Sequence, residues 1–89
     1  MSIHKTVACN GLREILTWKL GVFPRKIYPD SKLRKDFGFD AVDLGDLGAA
    51  LVKKFGIDAK EMAVALASET DVETLTGFLA EKLSEAESK

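Results

Sequence analysis

The chain has 89 residues, of which 46% are hydrophobic and 30% are charged, and its 13 basic and 14 acidic side chains leave a formal net charge of -1. This size and composition predict one folded domain over 1–89, with an ordered core at 5–83 and a frayed tail at 84–89. The balanced charge gives no support to binding of nucleic acid or of an anionic membrane, both of which favour a basic protein.

A single cysteine, Cys9, excludes an internal disulfide and a CxxC metal site, so we expect a buried or half-buried free thiol in a reducing cytosol. His4 is the only histidine and lies near the N-terminal end, so we do not expect it to bind a metal. The longest apolar run, 62–67, is too short to cross a bilayer, and the N-terminus lacks a signal-peptide core. We therefore expect a cytoplasmic monomer with no membrane span.

The first predicted helix runs over 5–20 and ends at Gly21, a residue typical of helix C-caps. Its apolar residues recur at helical spacing and form one stripe: Ala8, Leu12, Ile15, Leu16 and Leu20. Trp18 lies at the flank of this stripe, either as a lid over the core or as an exposed contact. We favour the lid, because tryptophan is usually mostly buried.

A long connection over 22–39 is interrupted by Pro24 and Pro29, which disfavour helix. Such a loop in a small domain is usually functional or held to the core by its own apolar residues, here Val22, Phe23, Ile27, Tyr28, Leu33 and Phe37. Asp30 is a candidate cap for a short turn at 30–33. No run alternates like a strand, so we expect no sheet.

The second helix is predicted over 41–55, after Asp40 as N-cap, with Asp43 adding a carboxylate to the positive end of the helix dipole. Its core stripe is Leu44, Leu47, Leu51 and Phe55, and its opposite face carries Val42, Asp46, Ala49 and Lys53 beside Asp43. Gly45 and Gly48 either permit close approach of a neighbour or loosen the helix.

A short third helix is predicted over 59–67, opened by Asp58 with Glu61 three residues later. The fourth begins at Thr70-Asp71-Val72-Glu73, which has the pattern of a capping box with Thr70 as N-cap. Its core face is Val72, Leu75, Leu79 and Leu83. The chain is thus predicted to be an all-α four-helix bundle, with three longer helices, one short helix and a long loop between the first two.

The stretch Asp36-Phe37-Gly38-Phe39-Asp40-Ala41-Val42-Asp43-Leu44 resembles the prosthetic-group site of acyl carrier proteins, and the order of helices and loops resembles theirs over about 5–83. The resemblance implies a non-enzymatic carrier of acyl groups, held as thioesters on 4′-phosphopantetheine. It also implies partners among the acyl-transfer or synthase-type enzymes of fatty-acid, acyl-chain or polyketide-type biosynthesis. Asp40, Ala41 and Val42 occupy the attachment site, but Ala41 stands where the family has its modified serine.

A methyl group has no oxygen for the phosphodiester, and Ser31 and Ser68 have turn or capping roles. As written, the chain is predicted to carry no cofactor, with 4′-phosphopantetheine expected only if residue 41 were serine. Two explanations stay open: an engineered Ser-to-Ala change, or a natural relative that kept the fold as an interaction module. The intact frame of Asp40, Val42 and Asp43 favours the first. The second is favoured by Val52, Lys53 and Lys54, where the family usually has acids.

As an interaction module, the chain is predicted to contact a protein partner through Val42, Asp43, Asp46, Ala49 and Lys53. Catalysis is not supported, since no nucleophile lies beside a base and no Gly-rich phosphate loop occurs. Four acids, Asp36, Asp40, Asp43 and Asp46, do not have the spacing of a calcium-binding loop. We interpret them as a cap and a polar helix face.

Overall fold

The computed structural model describes residues 3–67 and 69–87, and within these ranges it contains helices and turns but no β-strand. The four α-helices are α1 (Ile3–Trp18), α2 (Ala41–Phe55), α3 (Ala59–Ala67) and α4 (Val72–Glu87), and a 3-10 turn spans Pro24–Lys26. The predicted all-α architecture, with three longer helices and one short one, is confirmed. None of these helices is both long and apolar enough to cross a membrane, as far as the described ranges extend.

The core lies where α1 packs against α4 and where α2 packs against both α1 and α3. The largest side chains that are fully buried come from all four helices and the loop: Leu12, Leu16, Leu33, Leu47, Leu51, Met62, Leu75 and Leu79. The predicted stripes are therefore confirmed at their centres. Their last residues, Leu20, Phe55 and Leu83, are partly buried at the edge of the core.

Helix α1 ends at Trp18, two residues before the predicted end at Leu20, and the turn that follows it contains Gly21 as predicted. Gly21 has a φ of 71°, in the left-handed region that glycine adopts without strain, and the Val22 N–H donates to the Leu16 carbonyl at 2.9 Å. Trp18 is 84% exposed, so the prediction that it covers the core is wrong. Val22 and Ile27 are buried instead, and they fill the core beside this turn.

The long connection is held to the core by fewer apolar residues than predicted. Val22, Ile27 and Leu33 are buried, but Phe23 and Tyr28 are each 60% exposed, so their predicted anchoring role is wrong. The reason at Phe23 is the 3-10 turn that follows it. This turn places the Arg25 guanidinium and the Lys26 ammonium 5.9 and 5.8 Å from the centre of the Phe23 ring.

Backbone hydrogen bonds join the connection to the start of α4. The Leu33 N–H donates to the Thr70 carbonyl at 3.1 Å, and the Val72 N–H donates to the Ser31 carbonyl at 2.9 Å. They flank an isolated antiparallel bridge between Lys32 and Asp71, which is a single pair and not a strand. The expectation of no sheet therefore holds for the described residues.

Two polar side chains form hydrogen bonds that stabilise successive turns within this connection. The Ser31 hydroxyl accepts from the Tyr28 N–H and donates to the Lys26 carbonyl, both at 3.0 Å. The Asp36 carboxylate accepts from the Lys32 N–H at 2.6 Å. Asp36 thus caps the turn at 33–36, and Ser31, not Asp30 as predicted, supplies the side-chain bonds of the turn before it.

The start of α3 is confirmed and that of α4 is corrected by one residue. Asp58 accepts from the Glu61 N–H at 3.1 Å, as an N-cap does. At α4 the cap is Asp71, which accepts from the Thr74 N–H at 2.7 Å, so the predicted box with Thr70 as cap is wrong. Thr70 is buried, and its carbonyl is paired with the loop. Hydrogen bonds from Thr74 lower the pKa of the Asp71 carboxyl from its usual 3.8.

The end of α4 extends further than predicted. We expected fraying from Ser84, but the helix continues to Glu87, while residues 88 and 89 lie outside the described ranges. The Lys82 ammonium pairs with Glu61 of α3 at 2.8 Å and with Glu85 at 3.5 Å. These acceptors raise the pKa of Lys82 and connect the last turns of α4 to α3.

Candidate functional site

The first turn of α2 is fixed by a reciprocal pair of hydrogen bonds between Asp40 and Asp43. The Asp43 N–H donates to the Asp40 carboxylate at 2.9 Å, and the Asp40 N–H donates to the Asp43 carboxylate at 3.2 Å. Asp40 has extended backbone angles, as an N-cap requires. The predicted cap is confirmed, and the return bond from Asp43 was missed because capping boxes usually have Glu or Gln at that position.

The loop before this cap is held by two aromatic rings. Phe39 is buried and Phe37 is half-buried, with their ring centres 5.5 Å apart. Gly38 between them has a φ of 71°, a conformation that a residue with a side chain rarely adopts. The loop therefore enters α2 in a defined direction, and the position of the next residues is set by the core.

Ala41 is the first residue of α2, and it is exposed. A side chain at this position is accessible to a modifying enzyme, but the alanine methyl has no atom that can form an ester. Ser31 does not replace it, because its side chain is buried and its hydroxyl is already bonded to the backbone. Ser68, the other serine considered above, lies outside the described residues.

Four of the five residues predicted to contact a partner share the solvent face of α2. Val42 is 70% exposed, and Asp46, Ala49 and Lys53 are exposed at successive spacings of four, three and four residues. Asp43 is half-buried at the edge of this face, and its carboxylate belongs to the cap. We call these five residues the α2 face.

The neighbouring cation, Lys54, has a structural contact. Its ammonium lies 3.7 Å from the Glu14 carboxylate of α1. An exposed pair of this kind stabilises a fold by at most about 1 kcal/mol. It nevertheless directs Lys54 toward α1, whereas Lys53 belongs to the α2 face.

An apolar groove of about 560 Å³ between α2 and α3 was not predicted. Its walls are mostly small or apolar residues: Ala41, Leu44, Gly45, Gly48, Ala49 and Val52 on α2, and Ala59, Met62, Ala63, Leu66 and Ala67 on α3. Because small residues recur every three or four positions on both helices, the sequence did contain a signal for two facing strips of low volume. The groove begins beside residue 41 at the start of α2.

The two glycines of α2 differ in this groove. A β-carbon at Gly48 would lie 3.2 Å from the Leu66 Cδ1 atom, so this glycine permits the close approach of α3. A β-carbon at Gly45 would have no described atom within 4 Å outside its own helix and chain neighbours. The structure therefore favours close approach as the reason for Gly48, while Gly45 leaves open space.

Arg34 connects the loop to the same groove. Its guanidinium donates to the Leu66 and Ala67 carbonyls, each at 3.4 Å, at the C-terminus of α3. A cation is favoured there by the negative end of the helix dipole. Arg34 also lines the groove, so it adds one positive charge to the wall of the groove that contains Ala41.

The acids near this site have structural explanations. Asp36, Asp40 and Asp43 each accept a backbone N–H, which supports their interpretation as caps. Among the residues that the structure describes, no group of three or more His, Cys, Asp or Glu side chains is placed to hold a metal ion.

Comparison with known proteins identifies the family. Over 64 residues, 71% of this chain and 81% of the relative, the chain is 38% identical to an acyl carrier protein of Campylobacter hominis. The chain belongs to the acyl carrier protein family. It is also 34% identical over 50 residues to an acyl carrier protein of Solidesulfovibrio magneticus, an alignment that covers 56% of this chain and 64% of that relative, slightly under two thirds of its length.

Family membership rests on these relatives and on the helical fold. No family model matches the chain, and no solved structure matches it. The acyl carrier proteins that it resembles are carriers and not catalysts, so membership of this family means that the chain is not an enzyme. The candidate functional site is therefore the capped start of α2, where residue 41 is exposed beside an apolar groove.

Proposed function

We propose that this chain is an acyl-carrier module that does not carry 4′-phosphopantetheine as written. One observation carries the proposal: residue 41 is an exposed alanine at the first position of a capped helix whose frame is otherwise intact. A phosphodiester at this position needs a side-chain oxygen, and Ala41 does not fit that requirement. The surrounding geometry does suit a phosphate, because backbone N–H groups and the helix dipole favour an anion there.

The α2–α3 groove supports an acyl cargo for a version of the chain that has serine at position 41. The groove is predominantly apolar and Ala41 forms part of its wall, so a chain tethered at residue 41 has apolar surface within reach. We accordingly propose fatty-acid, other acyl-chain or polyketide-type biosynthesis as the setting, with acyl-transfer or synthase-type enzymes as partners. The chain is proposed to act there as one cytoplasmic, monomeric domain.

The test restores the hydroxyl. We expect Ala41→Ser to gain one phosphopantetheinyl group when incubated with coenzyme A and a phosphopantetheinyl transferase, whereas the chain as written gains none, as read by intact mass. Ala49→Ser is a matched control, because it places a hydroxyl on an exposed position two turns further along the same helix. An Ala41→Ser protein that stays unloaded, under conditions that load a standard carrier, contradicts the proposal.

The alternative is a natural interaction module that kept the fold and lost the cofactor. It is favoured by the α2 face, where Val42 is exposed without being required by the core. We expect Asp46→Lys to reduce capture of a partner enzyme from the source organism, while Glu81→Lys on the exposed side of α4 does not. A partner that binds equally well after changes to every residue of the α2 face would rule out this alternative.

The codon for residue 41 in the source gene separates the two explanations of Ala41. A serine codon there means that the alanine was introduced, which favours the carrier. An alanine codon means natural divergence, which favours the interaction module.

A further inference from the structure

All three exposed aromatic side chains lie in one short segment at the end of α1. Trp18, Phe23 and Tyr28 are 84%, 60% and 60% exposed, whereas the other four phenylalanines are buried or partly buried. Single exposed apolar side chains are normal on a protein surface, whereas several large ones close together mark an interaction site. Their concentration in eleven residues therefore indicates a surface that binds another molecule or a membrane.

The same segment is purely basic. Between Ile15 and Pro29 the chain has three cations, Lys19, Arg25 and Lys26, and no acid. All three are exposed, and two of them lie over the face of the Phe23 ring at 5.9 and 5.8 Å. The balanced net charge conceals this distribution, because residues 1–40 have 8 basic and 4 acidic side chains while 41–89 have 5 and 10.

These residues are close together along the chain. Trp18 and Phe23 are separated by five residues, which limits their Cα atoms to about 18 Å even in an extended chain. The turn at Gly21, closed by the bond from the Val22 N–H to the Leu16 carbonyl, shortens that distance. We define Trp18, Lys19, Phe23, Arg25 and Lys26 as the basic-aromatic patch.

We propose that the basic-aromatic patch docks this protein on anionic phospholipid membranes. Tryptophan and phenylalanine rings enter the headgroup region, and neighbouring cations are attracted to anionic lipids, so rings and charges on one surface fit that environment. An acidic protein partner fits less well, since aromatic anchors in protein interfaces usually fill shaped pockets, whereas a headgroup layer needs no shape match. The proposal is independent of the chemistry at residue 41.

Trp18 provides the measurement, because it is the only tryptophan in the chain. We expect its fluorescence to shift to shorter wavelength, and the protein to sediment, with vesicles of phosphatidylglycerol and phosphatidylcholine. Pure phosphatidylcholine vesicles should have little effect. Binding should weaken at 1 M salt, where the Debye length falls to about 3 Å.

Two variants with the same change in net charge distinguish binding through the basic-aromatic patch from a general effect of net charge. We expect the double variant R25E/K26E to bind the anionic vesicles at least tenfold more weakly, and Phe23→Ser to weaken binding less. The control K35E/K60E makes the same change in net charge at exposed positions of the loop before α2 and of α3, and it should bind like the parent. Circular dichroism confirms that each variant keeps its helices.

Three results would overturn the proposal. The first is no shift and no sedimentation with anionic vesicles at low salt. The second is an equal loss of binding in K35E/K60E and R25E/K26E, which would indicate attraction without a defined surface. The third is binding to polyglutamate without binding to vesicles, which would assign the patch to an acidic protein partner.

Discussion

Helix α2 contacts its two neighbouring helices in opposite ways. On the α1 side, the ring of Phe55 lies directly over Gly11, so closely that a β-carbon at residue 11 would overlap the ring. On the α3 side, small residues of α2 face small residues of α3 and leave an apolar groove of about 560 Å³. The α1 contact therefore serves stability, and the α3 contact provides space. Larger side chains should therefore destabilise the protein at the α1–α2 contact more than at the α2–α3 contact.

The largest effect is expected from Gly11→Val. The new side chain overlaps Phe55 and touches the Lys54 stem, so α1 or the ring must move, at a cost of about 2 kcal/mol in the free energy of unfolding. Urea denaturation measures this change. Gly77→Val is the matched control, because a β-carbon there has no described atom within 4 Å outside its own helix and chain neighbours, and it should change stability by less than about 0.5 kcal/mol. Equal losses in the two variants would show that the α1–α2 contact is not tight.

A smaller effect is expected at the capped end of α2, where the groove begins. Asp40→Ala removes the acceptor for the Asp43 N–H and should cost about 1 kcal/mol. Asp40→Asn should retain most of the stability, because its amide oxygen accepts the same bond. Asp46→Ala, on the exposed face beyond the cap, is the control and should have little effect on the urea midpoint. A loss at Asp46 as large as that at Asp40 would argue against the cap.

Local signals determined the parts of the fold that the sequence predicted well. The bounds of α2 and α3 follow from Asp40, Gly56 and Asp58, each of which acts on backbone groups within a few residues. At α4 the same reasoning was off by one residue. The Thr70 carbonyl pairs with Leu33, 37 positions away, and a contact between such distant residues has no signature in the local pattern.

At the candidate site, too, the features with local causes were predicted and those that depend on long-range contacts were not. The Asp40 cap, the exposed position of residue 41 and the α2 face follow from helix periodicity. Burial of Trp18 and Phe23 was predicted wrongly, because an apolar residue is buried only where the core has space for it, and that space depends on contacts between distant residues. The groove was missed because its volume depends on the distance between α2 and α3, which small residues permit but do not fix.

The smallest expected effect comes from replacing the two glycines of α2, Gly45 and Gly48, by alanine, and it tests whether only the side of α2 that faces α3 is tightly packed at Gly48. In an exposed helix, Gly→Ala gains about 1 kcal/mol of helix propensity, and Gly45→Ala should gain nearly this amount because its β-carbon enters open space. At Gly48 the gain is opposed by Leu66, whose Cδ1 atom would lie 3.2 Å away and must shift by a few tenths of an ångström. We therefore expect Gly48→Ala to leave the urea midpoint nearly unchanged. Gly77→Ala, which is also unobstructed by described atoms, should match Gly45→Ala. If Gly48→Ala stabilises the protein as much as the other two substitutions, Leu66 moves away from the new methyl group at no measurable cost in stability. In that case Gly48 does not set the distance between α2 and α3.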